Sequence, residues 1–183
     1  MARFVEVVQH NNLAVTHKNA EMKRYINNGL LLLLLVVVIA SCKRTLPNYG
    51  STAVVKMANN WWVTAYATNY GYLTSTPAFF TTYNGSSNAA DSLWLDDLKN
   101  GYGFKTEVVA NYTNLTFSST KSPNLDQGDS VTVFNGKVLP KAGHSKTGVV
   151  TDSLYFQALF SDDPGDTLTI SGTARTGFIL DDY

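Results

Sequence analysis

The chain reads as an all-β protein, an antiparallel up-and-down meander of about eight strands closed into a barrel. Three observations predict this. Beyond Trp61, apolar and polar residues alternate with period two, the mark of half-buried strands. Turn-forming residues such as Asn84-Gly85 and Asp163-Pro164-Gly165-Asp166 separate these segments at short intervals. No segment beyond Trp61 carries an amphipathic helical stripe of several turns.

The segments follow in order. "WWVTAYATN" sets Trp61, Val63, Ala65 and Ala67 against Trp62, Thr64, Tyr66 and Thr68. "AFFTTYN" and the short "DSLWLDD" come next. "FKTEVVANY" places Phe104, Thr106, Val108 and Ala110 on one face, and "NLTFSS" returns from it through a turn near Thr113-Asn114. "SVTVFNGKVLPK" predicts two strands joined at Asn135-Gly136, because both residues tolerate the positive φ of a two-residue hairpin turn. "DSLYFQALFSD" puts Leu154, Phe156, Ala158 and Phe160 together, and "TLTISGTART" closes the set. A two-sheet sandwich is the alternative. A barrel is favoured because a meander pairs sequence neighbours and closure removes exposed strand edges. The strands lack the continuous lipid-facing apolar band of a membrane-spanning barrel.

The first part of the chain has a different texture. Leu30–Ala40 is an uninterrupted apolar run, shorter than the roughly 20 residues that cross a bilayer as a helix. It follows Met22-Lys23-Arg24 and ends in Ile39-Ala40-Ser41-Cys42. A basic start, an apolar core and a small-small-Cys exit in register resemble a bacterial lipobox, whose cysteine is acylated and becomes the first residue of the mature chain. Four segments are therefore expected: 1–21, an over-extended start; 22–41, a signal peptide; 42–57, the lipidated Cys42 and a tether; and 58–183, one β-barrel domain. Location follows as an expectation: a cell-envelope lipoprotein of the outer membrane, facing the periplasm.

Composition narrows the chemistry. From Cys42 onward there are 10 basic and 12 acidic side chains, which gives no footprint for nucleic acid. Cys42 is the only cysteine, and His144 the only histidine after it. A multi-histidine metal site is excluded there, and no cofactor is expected. No G-x-S-x-G elbow occurs. Gly143-His144-Ser145-Lys146 puts adjacent side chains on opposite faces of an extended segment. Ser118-Ser119-Thr120-Lys121 has S-x-x-K spacing but ends a strand rather than starting a helix. The pairs Asp96-Asp97, Asp162-Asp163 and Asp181-Asp182 offer carboxylates for a metal or for acid–base work. Each also stands where a strand meets a turn, and aspartate bonds local backbone there.

Three stretches carry a family resemblance: "NNWWVTAYAT", "TTYNGSSNAADSLWLDD" and "VTDSLYFQALFSDDPGDTLTISGTARTGF". Together they resemble the lipid-binding putative hydrolase family of Bacteroidetes lipoproteins, over about Asn59 to Tyr183. The resemblance implies a calycin-like (lipocalin-like) β-barrel and lipid binding, and it brings no catalytic motif. In barrels of that type a first-strand tryptophan plugs one end against an arginine. Trp62 (or Trp61) with Arg175 resembles that pair, although Asn59-Asn60 replaces the usual G-x-W form.

The candidate ligand-binding residues are Trp62, Tyr66, Phe104, Val108, Phe117, Phe156, Phe160 and Arg175, with no metal ligands and no catalytic residues. The leading expectation is a lipid-anchored barrel that binds a small apolar or amphipathic ligand. The alternatives are a structural or interaction subunit of an outer-membrane complex, and a hydrolase. Partners are thus the membrane through the N-terminal lipid, a lipid or small hydrophobic ligand, and an envelope protein. Cys42→Ser should abolish acylation. Intact-mass measurement of protein from the expressing bacterium should show lipid on the wild-type cysteine and none on the variant.

Overall fold

The computed structural model describes Met22–Arg24, which are helical, and Gly50–Tyr183. The apolar run Leu30–Ala40 and Cys42 lie outside the described residues. Nine strands follow Gly50: β1 (Asn59–Ala67), β2 (Gly71–Tyr72), β3 (Ala78–Tyr83), β4 (Ser92–Asp96), β5 (Lys105–Asn111), β6 (Thr116–Pro123), β7 (Ser130–His144), β8 (Val150–Phe160) and β9 (Thr167–Ala174). All pairings are antiparallel. From β3 to β9 each strand pairs with the next, and β9 returns to β1 in register from Trp61↔Ala174 to Ala67↔Leu168. The result is a closed eight-stranded meander barrel. β2 is an extra ribbon on the far half of β1, through Tyr66↔Tyr72.

Period-two patterning decides which side chains enter. Trp61, Val63 and Ala67 point inward from β1, Thr106, Val108 and Ala110 from β5, and Leu154, Phe156, Ala158 and Phe160 from β8. Phe156 is the centre: its ring lies 5.7 Å from Phe80, 5.8 Å from Phe104 and 5.7 Å from Phe117 between centroids. These are normal aromatic packing separations. Trp61 plugs one end, its indole N–H donating to Thr82 Oγ1 at 2.9 Å, while that hydroxyl donates to Met57 O at 2.5 Å.

Two departures from the sequence reading have clear causes. Asn135-Gly136 makes no hairpin, because β7 runs through it as one 15-residue strand. The register against β8 slips between Phe134 and Lys137, so the dipeptide forms a bulge, with Asn135 at φ 56°. Gly136 is required there because a Cβ would collide with the Phe117 ring and carbonyl. The same tolerance of unusual backbone geometry that suits a hairpin suits a bulge. The second departure is the tether, expected to reach Met57. Val54 and Met57 are fully buried, and Met57 N donates to Val54 O at 2.8 Å in a turn that caps the barrel beside Trp61. Two apolar residues three positions apart were enough to bury a short turn that composition marked as polar.

Truncating the central ring should be costly. Phe156→Ala should lower stability by about 3–5 kcal/mol through lost burial and a residual cavity, read as a shift of the urea unfolding midpoint.

Candidate functional site

The barrel interior is filled. Phe104, Val108, Phe117, Phe156 and Phe160 all point into it and none is more than 3% exposed. They pack on one another, Phe104 and Phe160 edge-to-face at 5.6 Å. At the end opposite Trp61, the space enclosed among Leu73, Ala78, Tyr102 and Leu168 is about 30 Å³, room for about one water. The structure brings these five sequence-predicted residues together as a solid core.

The other three lie on the outer wall. Tyr66 is 44% exposed and stands edge-to-face with Tyr72. Trp62 packs edge-to-face against Phe79 and Tyr183. Arg175 meets Asp182 through two nitrogens, at 2.7 and 2.5 Å, and the same carboxylate accepts from the Trp62 indole at 3.3 Å. Trp62 and Arg175 are therefore joined through Asp182 on the outside, and Trp61 is the inward plug.

The open space is on the outer wall along β5 and β6. The two strands pair normally from Val109↔Ser118 to Asn111↔Thr116. Lower down, Lys105 N donates to Asn124 Oδ1 at 3.0 Å, and Leu125 N donates to Lys105 O at 2.8 Å. Four steps along β5, from Val109 to Lys105, are thus matched by six along β6, from Ser118 to Asn124. The surplus bulges away from β5, with Lys121 at φ 50°. Ser119 holds the bulge to β7, where its hydroxyl accepts from Val133 N at 3.3 Å.

Two adjoining recesses result, of about 1080 and 540 Å³, which share Asp91 and Val109. Val109 is 67% exposed in both, Leu125 59% exposed at one end, and Tyr112, Tyr155 and Lys137 stand at the other. Lys137 Nζ sits 5.2 Å over the Tyr155 ring. Sequence reasoning missed this groove. Val109 looked like an ordinary outward residue, and the β6 bulge carries neither glycine nor a turn dipeptide.

The carboxylates of Asp96 and Asp97 are held by local donors. Asp97 accepts from Lys99 N, Gly103 N and Phe104 N, each at 2.9 Å. Asp96 accepts from Leu98 N at 2.8 Å and Tyr83 Oη at 2.9 Å, and pairs with Lys105 at 2.9 Å. Burial pushes the Asp96 carboxyl up, but Lys105, Leu98 N–H and Tyr83 together hold it below its usual range. Asp96 in turn pushes Lys105 up to about 12. Asp96, Asp97 and Asp126 offer oxygens within 4.8 Å of one another, yet the first two are already occupied by these donors. Ser145 closes its own turn, accepting from Val149 N at 3.1 Å.

A model of the lipid-binding putative hydrolase family matches residues 46–179, which hold all nine strands. The chain belongs to this family. No curated protein matches it. Among solved structures it is similar to a structural-genomics protein of unknown function from Bacteroides ovatus, at 11% identity and a TM-score of 0.42. That similarity covers 65% of this chain and 42% of the other, so the chain spans less than half of that protein's length.

Asp181, only 2% exposed, makes a testable fastening at the end near Trp61. The Thr176 hydroxyl, at 2.6 Å, leads in holding its carboxyl down to about 2 despite burial, and Thr147 N–H adds to this at 2.8 Å. A carboxyl depressed on folding stabilises above its unfolded pKa of about 4, and that contribution is lost as pH falls toward about 2. Asp181→Asn should therefore flatten the loss of stability between those pH values, read as the urea midpoint against pH.

Proposed function

We propose that this family member is a lipid-anchored barrel of the bacterial cell envelope, held at the outer membrane on its periplasmic side, and that it binds an amphipathic lipid-like ligand in the groove along β5 and β6. The observation that carries the reading is the contrast between a filled interior and an open groove on the wall, in which Val109 and Leu125 stand exposed among polar residues. From Asn111 to Glu107 the groove follows four strand steps, about 13 Å, a length suited to part of a hydrocarbon tail. Val109 and Leu125 offer the tail apolar contact, and Lys137 at the upper end offers a cation to an anionic head group.

Binding rather than catalysis is supported by how the candidate nucleophiles and acids are used. Ser145 bonds its neighbouring backbone, Ser118 and Lys121 stand exposed on β6 rather than at a helix start, and Asp96 and Asp97 each accept three local donors. The alternative of an interaction subunit has one specific support. Tyr70 and Tyr72 are 73% and 70% exposed beside Tyr66, and such tyrosine clusters are enriched at protein interfaces.

Mass spectrometry of protein isolated from its own host tests the reading. Wild type should carry a co-purifying lipid, and Val109→Asp should lose most of it without a change in folding. Wild-type protein free of lipid would sink the proposal.

A further inference from the structure

The barrel end that receives Gly50–Met57 also gathers the turns after β3, β5, β7 and β9. Ala53 N donates to Asn88 Oδ1 in the β3–β4 turn, Arg175 N donates to Asn60 O, and Thr147 N reaches Asp181. At this end Phe178, Ile179 and Leu180 stand in a row, 63%, 87% and 76% exposed. Among the described residues, Ile179 and Leu180 are the most exposed large apolar side chains.

They are exposed on a fixed support. Asp181 is buried in its bonds to Thr176 and Thr147, Asp182 holds Arg175, and Phe178 N donates to Thr176 Oγ1 at 3.2 Å. Ile179–Asp181 is thus a single 3-10 turn pinned from below, with its apolar side chains directed away from the barrel. A contiguous apolar patch that the fold holds in water marks a contact surface.

We propose that Phe178-Ile179-Leu180 is a membrane-docking knuckle that inserts into the interfacial layer of a bilayer. The first argument is chain length. Gly50 lies eight residues beyond Cys42, an extended reach of roughly 28 Å at most. An anchor at Cys42, on which this argument rests, keeps this end of the barrel close to the membrane. The second argument is composition around the knuckle. Tyr183 is 52% exposed, and the Lys146 ammonium lies 5.1 Å over its ring. An amphipathic aromatic beside a cation suits the head-group region, and the three apolar side chains suit the layer below it. Docking here would also bring the upper end of the β5–β6 groove, at Tyr112, to the lipid surface.

The test uses the mature protein isolated from the expressing bacterium and reconstituted in phosphatidylethanolamine/phosphatidylglycerol vesicles. Ile179→Cys carries a bimane label, with Tyr72→Cys at the opposite end as control. Both positions are highly exposed, so neither change threatens folding. A doxyl-lipid quencher should reduce emission at position 179 about threefold more than at 72, with iodide showing the reverse. Equal iodide access at both positions would overturn the proposal. So would shielding of position 179 from both quenchers in a protein that runs as a dimer, since a second copy would then cover the knuckle. Intact mass of the unsubstituted protein reports acylation separately. Iodide-accessible label on an acylated chain removes the knuckle alone. If the chain is unacylated, its Cys42 thiol is first removed by Cys42→Ser, and lipid-quenched label at 179 in that background supports the knuckle and removes the anchor.

Discussion

The structure depends on the seam between β1 and β9. Seven residue pairs close the meander there, from Trp61↔Ala174 to Ala67↔Leu168. Without the seam, two long strands would present unpaired backbone edges and the aromatic interior would face water. The seam requires Gly172, since a Cβ at that position would meet Trp62 O and Val63 Cα. Closure and core filling are one constraint. An eight-stranded barrel is just wide enough for side chains, and here five phenylalanines and Trp61 occupy that width.

A filled interior leaves the wall as the surface open to a ligand. The wall of a regular barrel is smooth, so a recess needs an irregular strand. β6 supplies it by carrying two more residues than β5 over the same span, and β7 bends beside it through the Asn135-Gly136 bulge. Bulges re-aim side chains and interrupt pairing. Val109 and Leu125 are thereby left exposed in an open recess among polar side chains, while Val108, one residue away, stays in the core.

The polar residues that invite chemical readings are mostly fasteners. Asp97 ties the β4–β5 loop with three backbone N–H groups, Asp181 locks the C-terminal turn, and Asp182 clamps Arg175 to Trp62. Asp97 and Asp181 accept backbone donors that a tight turn would otherwise leave unpaired, and Asp182 joins two side chains. The Asp181 and Asp182 fastenings have a further effect, because they hold Phe178, Ile179 and Leu180 outward.

By itself the sequence determined the all-β class, the positions of most strands and the inward faces of β5 and β8, because period two maps directly onto the two sides of a strand. Trp61 against Trp62 was legible as one inward and one outward ring, but which was which was not, since both are large and apolar. The tertiary structure alone decided that Asn135-Gly136 is a bulge. A left-handed residue fits either device, and only the neighbouring Phe117 and β8 select one. It alone decided the groove and the knuckle as well. Both arise from mismatched register and loop fastening between segments distant in sequence, and local pattern carries no record of such distances.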